Sequence, residues 1–298
     1  MKPTRSRLAT PGVLAPPAVA VLLWAAALTA QETPAREGPV TDPLVRFDLA
    51  GPAEFWRLPG RLTEISGLAV SPDGRLFAHD DERAVIYELD VDRTEMIKAF
   101  AMGDQLARAD FEGLAIAGER FYLVTSDGRI YESREGADDE RVLYNTYGTG
   151  IGRWCEVEGL AHEHMDDTLL ILCKTARDSS LESSVTVFRW SLATRELVDP
   201  PLSVPLEHVE EATDQRGFAA SGIARDPMSG DYVLIAAQDR AVVSMTREGV
   251  VLGGGRLDAD RHPQAEGVIL DAMGRLLIAD EGRGARARIT VYPPRPPE

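Results

Sequence analysis

Short apolar segments separated by polar turns run through most of the chain, and no long segment has the 3.6-residue period of an amphipathic helix. One group comprises Arg75–His79, Ala84–Leu89 and Glu95–Phe100. It follows Ser71-Pro72-Asp73-Gly74, a combination that favours a turn through the backbone preferences of Pro, Asp and Gly. Short or alternating apolar segments bounded by such turns are typical of β-strands. The pattern therefore predicts an all-β fold.

This group of strands recurs, and each copy opens on a short motif centred on a glycine. The motif glycines are Gly67, Gly113, Gly159, Gly222 and Gly267, at intervals of 46, 46, 63 and 45 residues. The long interval contains two insertions, 175–184 and 206–217, and the second has the acidic composition of a short surface helix. Four antiparallel strands repeated about every 45 residues are typical of propeller blades.

The last copy has room for only three strands, 265–270, 275–279 and 288–292. The segment Leu44–Leu49 precedes the first motif and is predicted to supply the missing strand. Such closure would remove exposed sheet edges, which favour aggregation. We therefore predict a single β-propeller over residues 43–293, with five four-stranded blades and a short tail, 294–298. Six blades are the alternative, although no segment is left over for a sixth.

The residues that precede the motif glycines are predicted to lie together. They are Ser66, Glu112, Glu158, Ser221 and Glu266. The first strand of a blade is the innermost, and side chains alternate along a strand, so all five should share one facing. We expect a ring at one mouth of the central channel, or at the blade interfaces near it.

The first thirty residues have the layout of a secretory signal. A basic start without acidic residues leads into the apolar run 13–30, which ends in alanines. Pro16-Pro17 interrupts the run, which makes a permanent spanning helix less suitable than a cleaved signal peptide. We assign 1–30 to the signal and 31–42 to a disordered lead-in. The predicted location is the periplasm or the extracellular space, including a peripheral position at the cell membrane, with no transmembrane segment beyond the signal.

The charge balance narrows the choice of partners. The chain contains 48 acidic and 32 basic residues, a formal net charge of −16. A surface of this sign repels nucleic acid and anionic lipid headgroups, so no nucleic-acid partner is expected. It suits cation binding, and it also serves simple solubility.

Cys155 and Cys173 flank a predicted hairpin turn. Their midpoint is His164, inside the polar segment 162–167. Folding the chain there places the cysteines on paired strands, and directly opposed positions meet the Cα separation of about 4.4–6.8 Å that a disulfide needs. The alternative is two reduced, buried thiols that act as small apolar side chains.

The motifs taken in order resemble the SdiA-regulated (YjiK-like) family of exported bacterial proteins. The part most similar to that family is Pro263–Val268 followed by Asp271–Leu276, and the resemblance covers about residues 44–293. This family is similar to phytase-esterase-like and gluconolactonase-like propellers. The resemblance implies a propeller in the cell envelope. It assigns no catalytic residues, since the family has no established activity.

The three glutamates of the ring, Glu112, Glu158 and Glu266, favour a divalent cation. Carboxylates that converge in a narrow place repel one another unless a cation, a proton or a basic side chain intervenes. Calcium binds about six to eight oxygen ligands, so the hydroxyls of Ser66 and Ser221 could complete the set. We therefore predict calcium as the cofactor. In the structural alternative, the glutamates accept backbone hydrogen bonds and hold neighbouring blades together.

A second tier of polar residues follows the motif glycines by about fourteen positions or precedes the fifth motif. Its members are Asp81, Asp127, Lys174, Asp239, Glu281 and His262. Lys174 would be a counter-ion for the glutamates. His262, with His79, could face the same mouth.

Two functions agree with these residues. The first is a binding or scaffold module that holds calcium at the channel mouth and takes an unidentified small molecule or envelope protein as its partner. The alternative is a metal-dependent hydrolase, a lactonase or phosphoesterase, in which the metal polarises a substrate oxygen. The fold itself does not choose between them, because function depends on the loops and sites that it carries.

Overall fold

The computed structural model describes residues 41–296, whose strands form five sheets arranged as the blades of a β-propeller. The predicted signal peptide, most of the predicted lead-in and the last two residues lie outside the described residues. Within 41–296, no helix is long and apolar enough to cross a membrane. The five sheets exclude the six-bladed alternative.

Strand β1 (Glu54–Arg57) comes before the first blade in the chain. The first blade consists of β2 (Ile65–Val70), β3 (Leu76–Asp80), β4 (Val85–Asp90) and β5 (Glu95–Met102). The second consists of β6 (Phe111–Ala117), β7 (Arg120–Thr125), β8 (Arg129–Arg134) and β10 (Tyr144–Gly148), while β9 (Arg141–Val142) pairs in parallel with β5. The third consists of β11 (Cys155–Glu163), β12 (Thr168–Ala176), β13 (Ser184–Ser191) and β14 (Leu197–Pro205). The fourth consists of β15 (Gly222–Arg225), β16 (Tyr232–Ala236), β17 (Ala241–Met245) and β18 (Val251–Arg256). The fifth consists of β19 (Ala265–Leu270), β20 (Leu276–Asp280), β21 (Arg288–Tyr292) and β1.

An N-terminal strand closes the ring, but the predicted segment was wrong. Residues 43–46 form a 3-10 helix instead of a strand, and Glu54–Arg57 pairs with β21. The helix begins at Pro43, whose fixed φ suits a first helical position, and the Asp42 carboxylate accepts a hydrogen bond from the Leu44 N–H at 2.8 Å. Ser244 of the fourth blade also donates to Asp42 at 2.6 Å, which fastens this helix to the propeller.

The motif strand lies at one edge of each sheet, where it meets the motif strands of the next blades. The glycines make this approach possible. A Cβ on Gly113 would lie 2.5 Å from the Leu160 nitrogen, and a Cβ on Gly222 would lie 3.0 Å from the Glu266 carbonyl oxygen. Each motif glycine is followed by an aliphatic residue, and all of these are buried: Leu68, Leu114, Leu160, Ile223 and Val268. We call the glycines and these aliphatic residues the waist of the channel.

A disulfide joins Cys155 and Cys173, so neither is a free thiol. Their Cα atoms lie 5.8 Å apart. The chain reverses between β11 and β12 where the polar segment predicted a turn. However, Cys155 pairs with Ala176 and Val157 pairs with Cys173, so the expectation of directly opposed cysteines was wrong. Irregular pairing around Glu158 shifts the register.

The two insertions of the third copy carry short helices. Residues Leu206–Thr213 form the helix α1, which packs on the fourth blade through Val209. The other insertion contains the 3-10 turn Ser179–Leu181. Neither contributes a residue to the motif strands.

Candidate functional site

A β-bulge presents the residue before the motif glycine in four of the five blades. The pairing of the first two strands skips Ser66, Glu112, Glu158 and Glu266, so each is the extra residue of its bulge. A bulge redirects a side chain relative to the strand around it. In the fourth blade the motif strand begins only at Gly222, and Ser221 precedes it with its N–H donating to the Ile235 carbonyl.

The predicted ring is only partly assembled. Ser66, Glu112 and Glu266 line one narrow cavity of about 10 Å³ between the motif strands, and the Ser66 hydroxyl donates to Glu112 Oε2 at 3.5 Å. Such a space admits at most about one water-sized particle. Ser221 is committed elsewhere, since its hydroxyl donates to the Ala265 carbonyl at 2.6 Å and accepts from the Ala237 N–H at 3.0 Å. Its hydroxyl therefore joins two blades.

Burial and mutual repulsion control the protonation of Glu112 and Glu158. Desolvation raises the pKa of both carboxyls above the usual range, because the charged form loses its hydration. The charge of Glu158 raises the pKa of Glu112 further, and so does Asp110. The ionisation of the two glutamates is therefore coupled, since a charge on Glu158 makes ionisation of Glu112 less favourable.

Glu266 carries an oxygen without a partner. Its side chain is 7% exposed, and its Oε1 accepts a hydrogen bond from the Gln264 amide. Its buried Oε2 has no hydrogen-bond partner within the described residues. Desolvation, together with repulsion from Glu158, raises the pKa of this carboxyl to about 7. A buried acceptor of this kind is costly unless something donates to it or binds it.

Lys174 is the cation that the sequence predicted beside the glutamates. Its ammonium forms an ion pair with Glu158 Oε1. Burial alone would lower the pKa of Lys174, but the hydrogen bond to Glu158 and the charges of the glutamates more than offset that and raise it. Lys174 therefore stays charged and stabilises the ionised form of Glu158.

Asp81 and Glu281 form an outer acidic group with Glu64, at the same end of the strands. Desolvation, then repulsion from Glu64, Asp80 and Glu281, raises the pKa of Asp81 to about 7. The buried Asp81 Oδ1 has no partner in the part of the chain that the structure describes. Desolvation and the charge of Glu64 also raise the pKa of Glu281. We call this group, together with Asp110, Glu112, Glu156, Glu158, Glu266 and Lys174, the acidic mouth.

The remaining second-tier residues have local partners instead. Asp127 accepts from the Thr125 hydroxyl within its own turn, and Asp239 accepts from the Ala219 N–H at 2.6 Å. His262 is buried between Asp280 Oδ2, 2.9 Å from its Nδ1, and the Tyr292 hydroxyl, 2.7 Å from its Nε2. Both ring nitrogens are thus engaged in fastening the fifth blade.

His79 lies behind Gly67 and is fully buried. Desolvation lowers its pKa to about 4, which keeps the imidazole neutral at physiological pH. The neutral imidazole of His79 therefore packs against the backbone of the first motif glycine.

Calcium is the cofactor that the sequence predicts, and its fit can be examined on these side chains. Among residues 41–296, no group of three or more His, Cys, Asp or Glu side chains has an arrangement that could hold a metal ion. The acidic mouth therefore supplies the charge and the oxygen donors for calcium, but its side chains, as placed, do not form a preassembled site.

Two features of the site were not predicted. Gln264 binds Glu266, and the acids three residues before the motif glycines, Glu64, Asp110 and Glu156, raise the pKa values of their neighbours. The recurrence of an acid at this position was the signal that could have identified them. The second feature is a larger cavity, about 240 Å³, on the other side of the waist.

No protein-family model matches the chain, and no curated protein matches it. Solved structures with a similar fold include glutaminyl cyclase from Myxococcus xanthus, with a TM-score of 0.54, 15% identity, and coverage of 80% of this chain and 95% of the other. A second is the PQQ-bound aldose sugar dehydrogenase from Streptomyces coelicolor, with a TM-score of 0.52, 12% identity, and coverage of 81% and 98%. Both are β-propeller proteins. At these identities the likeness establishes the propeller fold alone.

Proposed function

We propose that the protein is an exported binding module of the cell envelope, of the SdiA-regulated type, which binds calcium at its acidic mouth. The observation that carries the proposal is Glu266. This buried carboxylate has an unpartnered oxygen, and desolvation, with added repulsion from Glu158, raises its pKa to about 7. A divalent cation would supply the missing partner and remove the repulsion in one step.

Lys174 determines how calcium would enter. Its ammonium forms an ion pair with Glu158 Oε1, so this carboxylate is already occupied by a cation. Glu112, Glu158 and Glu266 would hold calcium, and Lys174 would have to leave Glu158 before that carboxylate could serve as a ligand. In this mechanism Lys174 is a competitor for the site, and its removal increases calcium affinity.

Protons compete for the same carboxylates. The pKa of Glu112 is raised to about 9 and that of Glu266 to about 7, so at neutral pH Glu112 is mostly protonated and Glu266 is partly protonated. Calcium would bind the ionised carboxylates, and binding would therefore release protons. Affinity should rise with pH through about 7, where Glu266 loses its proton, and continue to rise towards about 9, where Glu112 loses its proton.

Export is supported by two separate features. The first thirty residues have the composition of a secretory signal, and a disulfide between Cys155 and Cys173 is typical of an oxidising compartment. The resemblance of the motif order to the SdiA-regulated family supports an envelope location.

Calcium titration followed by thermal unfolding tests this proposal. For a chain of this size, a concentration of one hundred times Kd should raise Tm by about 5 °C. Glu158→Gln should abolish the shift because it removes a charged ligand. Lys174→Met should lower the calcium Kd. Lys98→Met removes the ammonium that the outer strand β5 of the first blade presents to Glu135, and it should leave the Kd unchanged.

Absence of a shift in both the wild type and Lys174→Met would contradict the calcium site. One observation favours the hydrolase alternative, since a carboxyl with a pKa of about 7 has the range of a general acid or base. Turnover of a simple lactone or p-nitrophenyl ester that Glu266→Gln abolishes would support that alternative over the binding module.

A further inference from the structure

The outer edge of the second blade is the strand β10, which pairs with β8 on one side only. In an antiparallel pair, every second residue of a strand turns its N–H and its carbonyl away from the neighbouring strand. Apart from the pairing with β8, no backbone group of Tyr144–Gly148 forms a hydrogen bond within residues 41–296. The outer side of β10 therefore has backbone donors and acceptors that could pair with another strand.

The outer strands of the other four blades are covered or carry residues that discourage pairing. The strand β5 pairs with β9, and β18 packs against α1. The strand β14 contains Pro200, Pro201 and Pro205, which have no N–H to donate, and β1 has a charged residue at each end. Covering elements, prolines and charges are the usual means by which proteins keep sheet edges from pairing. The strand β10, with the sequence Tyr-Asn-Thr-Tyr-Gly, has none of these protections.

A groove of about 500 Å³ adjoins the start of β10, and its lining includes the first two residues of this strand. Three exposed arginines also line the groove: Arg120, Arg134 and Arg141. The guanidinium groups of Arg134 and Arg141 form no ion pair within the part of the chain that the structure describes. The carboxylate nearest to Arg120 is that of Glu132, at 3.7 Å.

Two of the three lining carboxylates are neutralised by arginines that lie outside the lining. Glu132 accepts a hydrogen bond from Arg195 at 2.9 Å, and Glu135 accepts one from Arg75 at 2.5 Å. The third, Glu140, accepts a backbone N–H. The groove therefore has an excess of positive charge, on a chain whose formal net charge is −16.

We propose that β10 and the adjoining groove bind an extended, acidic peptide segment of another protein. The segment adds a strand to the second blade through the outward-facing backbone groups of β10, and its carboxylates pair with Arg134 and Arg141. Leu143, which is 80% exposed directly before β10, provides an apolar contact for the same segment. None of these residues belongs to the acidic mouth, so the proposal does not depend on calcium binding.

A second copy of this chain fits the edge less well than an acidic peptide. Two copies could pair through β10, but this strand contains no acidic residue. Such pairing would leave Arg134 and Arg141 without carboxylate partners from the strand that pairs. The charge of the groove therefore favours a different protein as the partner.

Three labelled nine-residue peptides test the proposal by fluorescence anisotropy with the full chain. The first alternates valine and glutamate, the second has glutamine in place of each glutamate, and the third is the first peptide N-methylated at alternate residues. At about 0.02 M salt, where surface charges are weakly screened, the first should bind about tenfold more tightly than the second because only its carboxylates can pair with the arginines. N-methylation removes the N–H donors that pair with β10, so the third should also bind about tenfold more weakly than the first.

Substitutions in the groove test whether the arginines select the peptide. Arg134→Ala should weaken binding of the first peptide about threefold, and the double variant Arg134→Ala/Arg141→Ala should weaken it about tenfold. Both side chains are exposed, so both variants should fold. Arg286→Ala is the matched control, because it removes the same charge from the turn between β20 and β21 in the fifth blade and should leave the affinity unchanged.

Three results would overturn the proposal. Failure of the first peptide to bind, or equal losses in the double variant and in Arg286→Ala, would exclude the site. Equal binding of the first and third peptides would mean that the groove attracts anions without strand pairing. Sedimentation equilibrium without peptide should show a monomer, and a dimer that Thr146→Lys dissociates would assign β10 to a second copy.

Discussion

The two ends of the central channel are built from the same motif strands and have opposite chemistry. On one side of the waist, Glu158 and Glu266 are buried beside a single ammonium, and their pKa values rise. On the other side, the lining is aliphatic around a neutral His162. In β11 the change takes only the five residues from Glu158 to His162.

This difference shows which positions the repeat constrains. At the waist every blade meets the same packing problem, so glycine followed by an aliphatic residue recurs five times. Beyond the waist the blades differ. On the acidic side, the residue before the motif glycine is Ser66 in the first blade and Glu112 in the second. Ile116 and His162 occupy equivalent places on the apolar side. Repetition therefore holds the channel together, and its ends are free to specialise.

The largest expected effect comes from the waist, which keeps the two ends apart. In Gly113→Ala the new Cβ would lie 2.5 Å from the Leu160 nitrogen and 2.9 Å from the Gly159 carbonyl carbon. Both atoms are backbone, so the strands have to move apart. The free energy of unfolding in urea should fall by about 3 kcal/mol.

Gly255→Ala is the matched control, because Gly255 also lies in a strand and a Cβ there meets nothing within 4 Å. Its free energy of unfolding should stay the same or rise by about 0.5 kcal/mol. Similar losses in both variants would mean that the waist is no tighter than an outer strand.

The second-largest effect concerns the pH dependence of stability, which should distinguish the glutamates of the acidic mouth from buried carboxylates that are well paired. Glu266 has its pKa raised to about 7 in the folded chain, so ionisation opposes folding. Its favourable contribution is complete below its unfolded pKa of about 4.5 and is lost as pH rises through about 7. Glu266→Gln should therefore raise the free energy of unfolding by about 2 kcal/mol at pH 8 and leave it unchanged at pH 4.

Glu132 provides the contrast, since it is as buried as Glu266 but well paired. Burial would raise its pKa, but hydrogen bonds from Tyr147 at 2.8 Å and Arg195 at 2.9 Å lower it. Its contribution is present above its unfolded pKa and is lost as pH falls through the folded one. Glu132→Gln should destabilise by about 1–2 kcal/mol at pH 8, and a stabilisation there would contradict this account.

The fold was predictable because every blade has to pack its inner strand in the same way, so the same sequence motif recurs in each blade. The glycine spacing identified the motif strands and the number of blades, and the turns between the strands indicated four strands per blade. The closing strand was misassigned because alternation in Leu44–Leu49 resembles a strand, whereas Pro43 and the Asp42 cap favour a 3-10 helix. Local capping outweighed a weak strand pattern.

The site was predictable only where it follows the repeat. The residues before the glycines were found, and so was Lys174 as a counter-ion. The bulges that orient these residues depend on pairing between strands, which no single strand reveals. The apolar end was missed because its aliphatic residues look like ordinary core, and because His162 was assigned to a turn although it lies in β11.

The smallest effect is expected at exposed apolar side chains outside the channel. Met273 is 59% exposed, so Met273→Ser should change the free energy of unfolding in urea by no more than about 0.5 kcal/mol. Leu143, 80% exposed between β9 and β10, is the control, and Leu143→Ser should have an equally small effect. A loss from Met273→Ser as large as that from Gly113→Ala would mean that a turn beyond the apolar end stabilises the propeller as much as the waist does, and the contrast between the waist and the ends of the channel would fail.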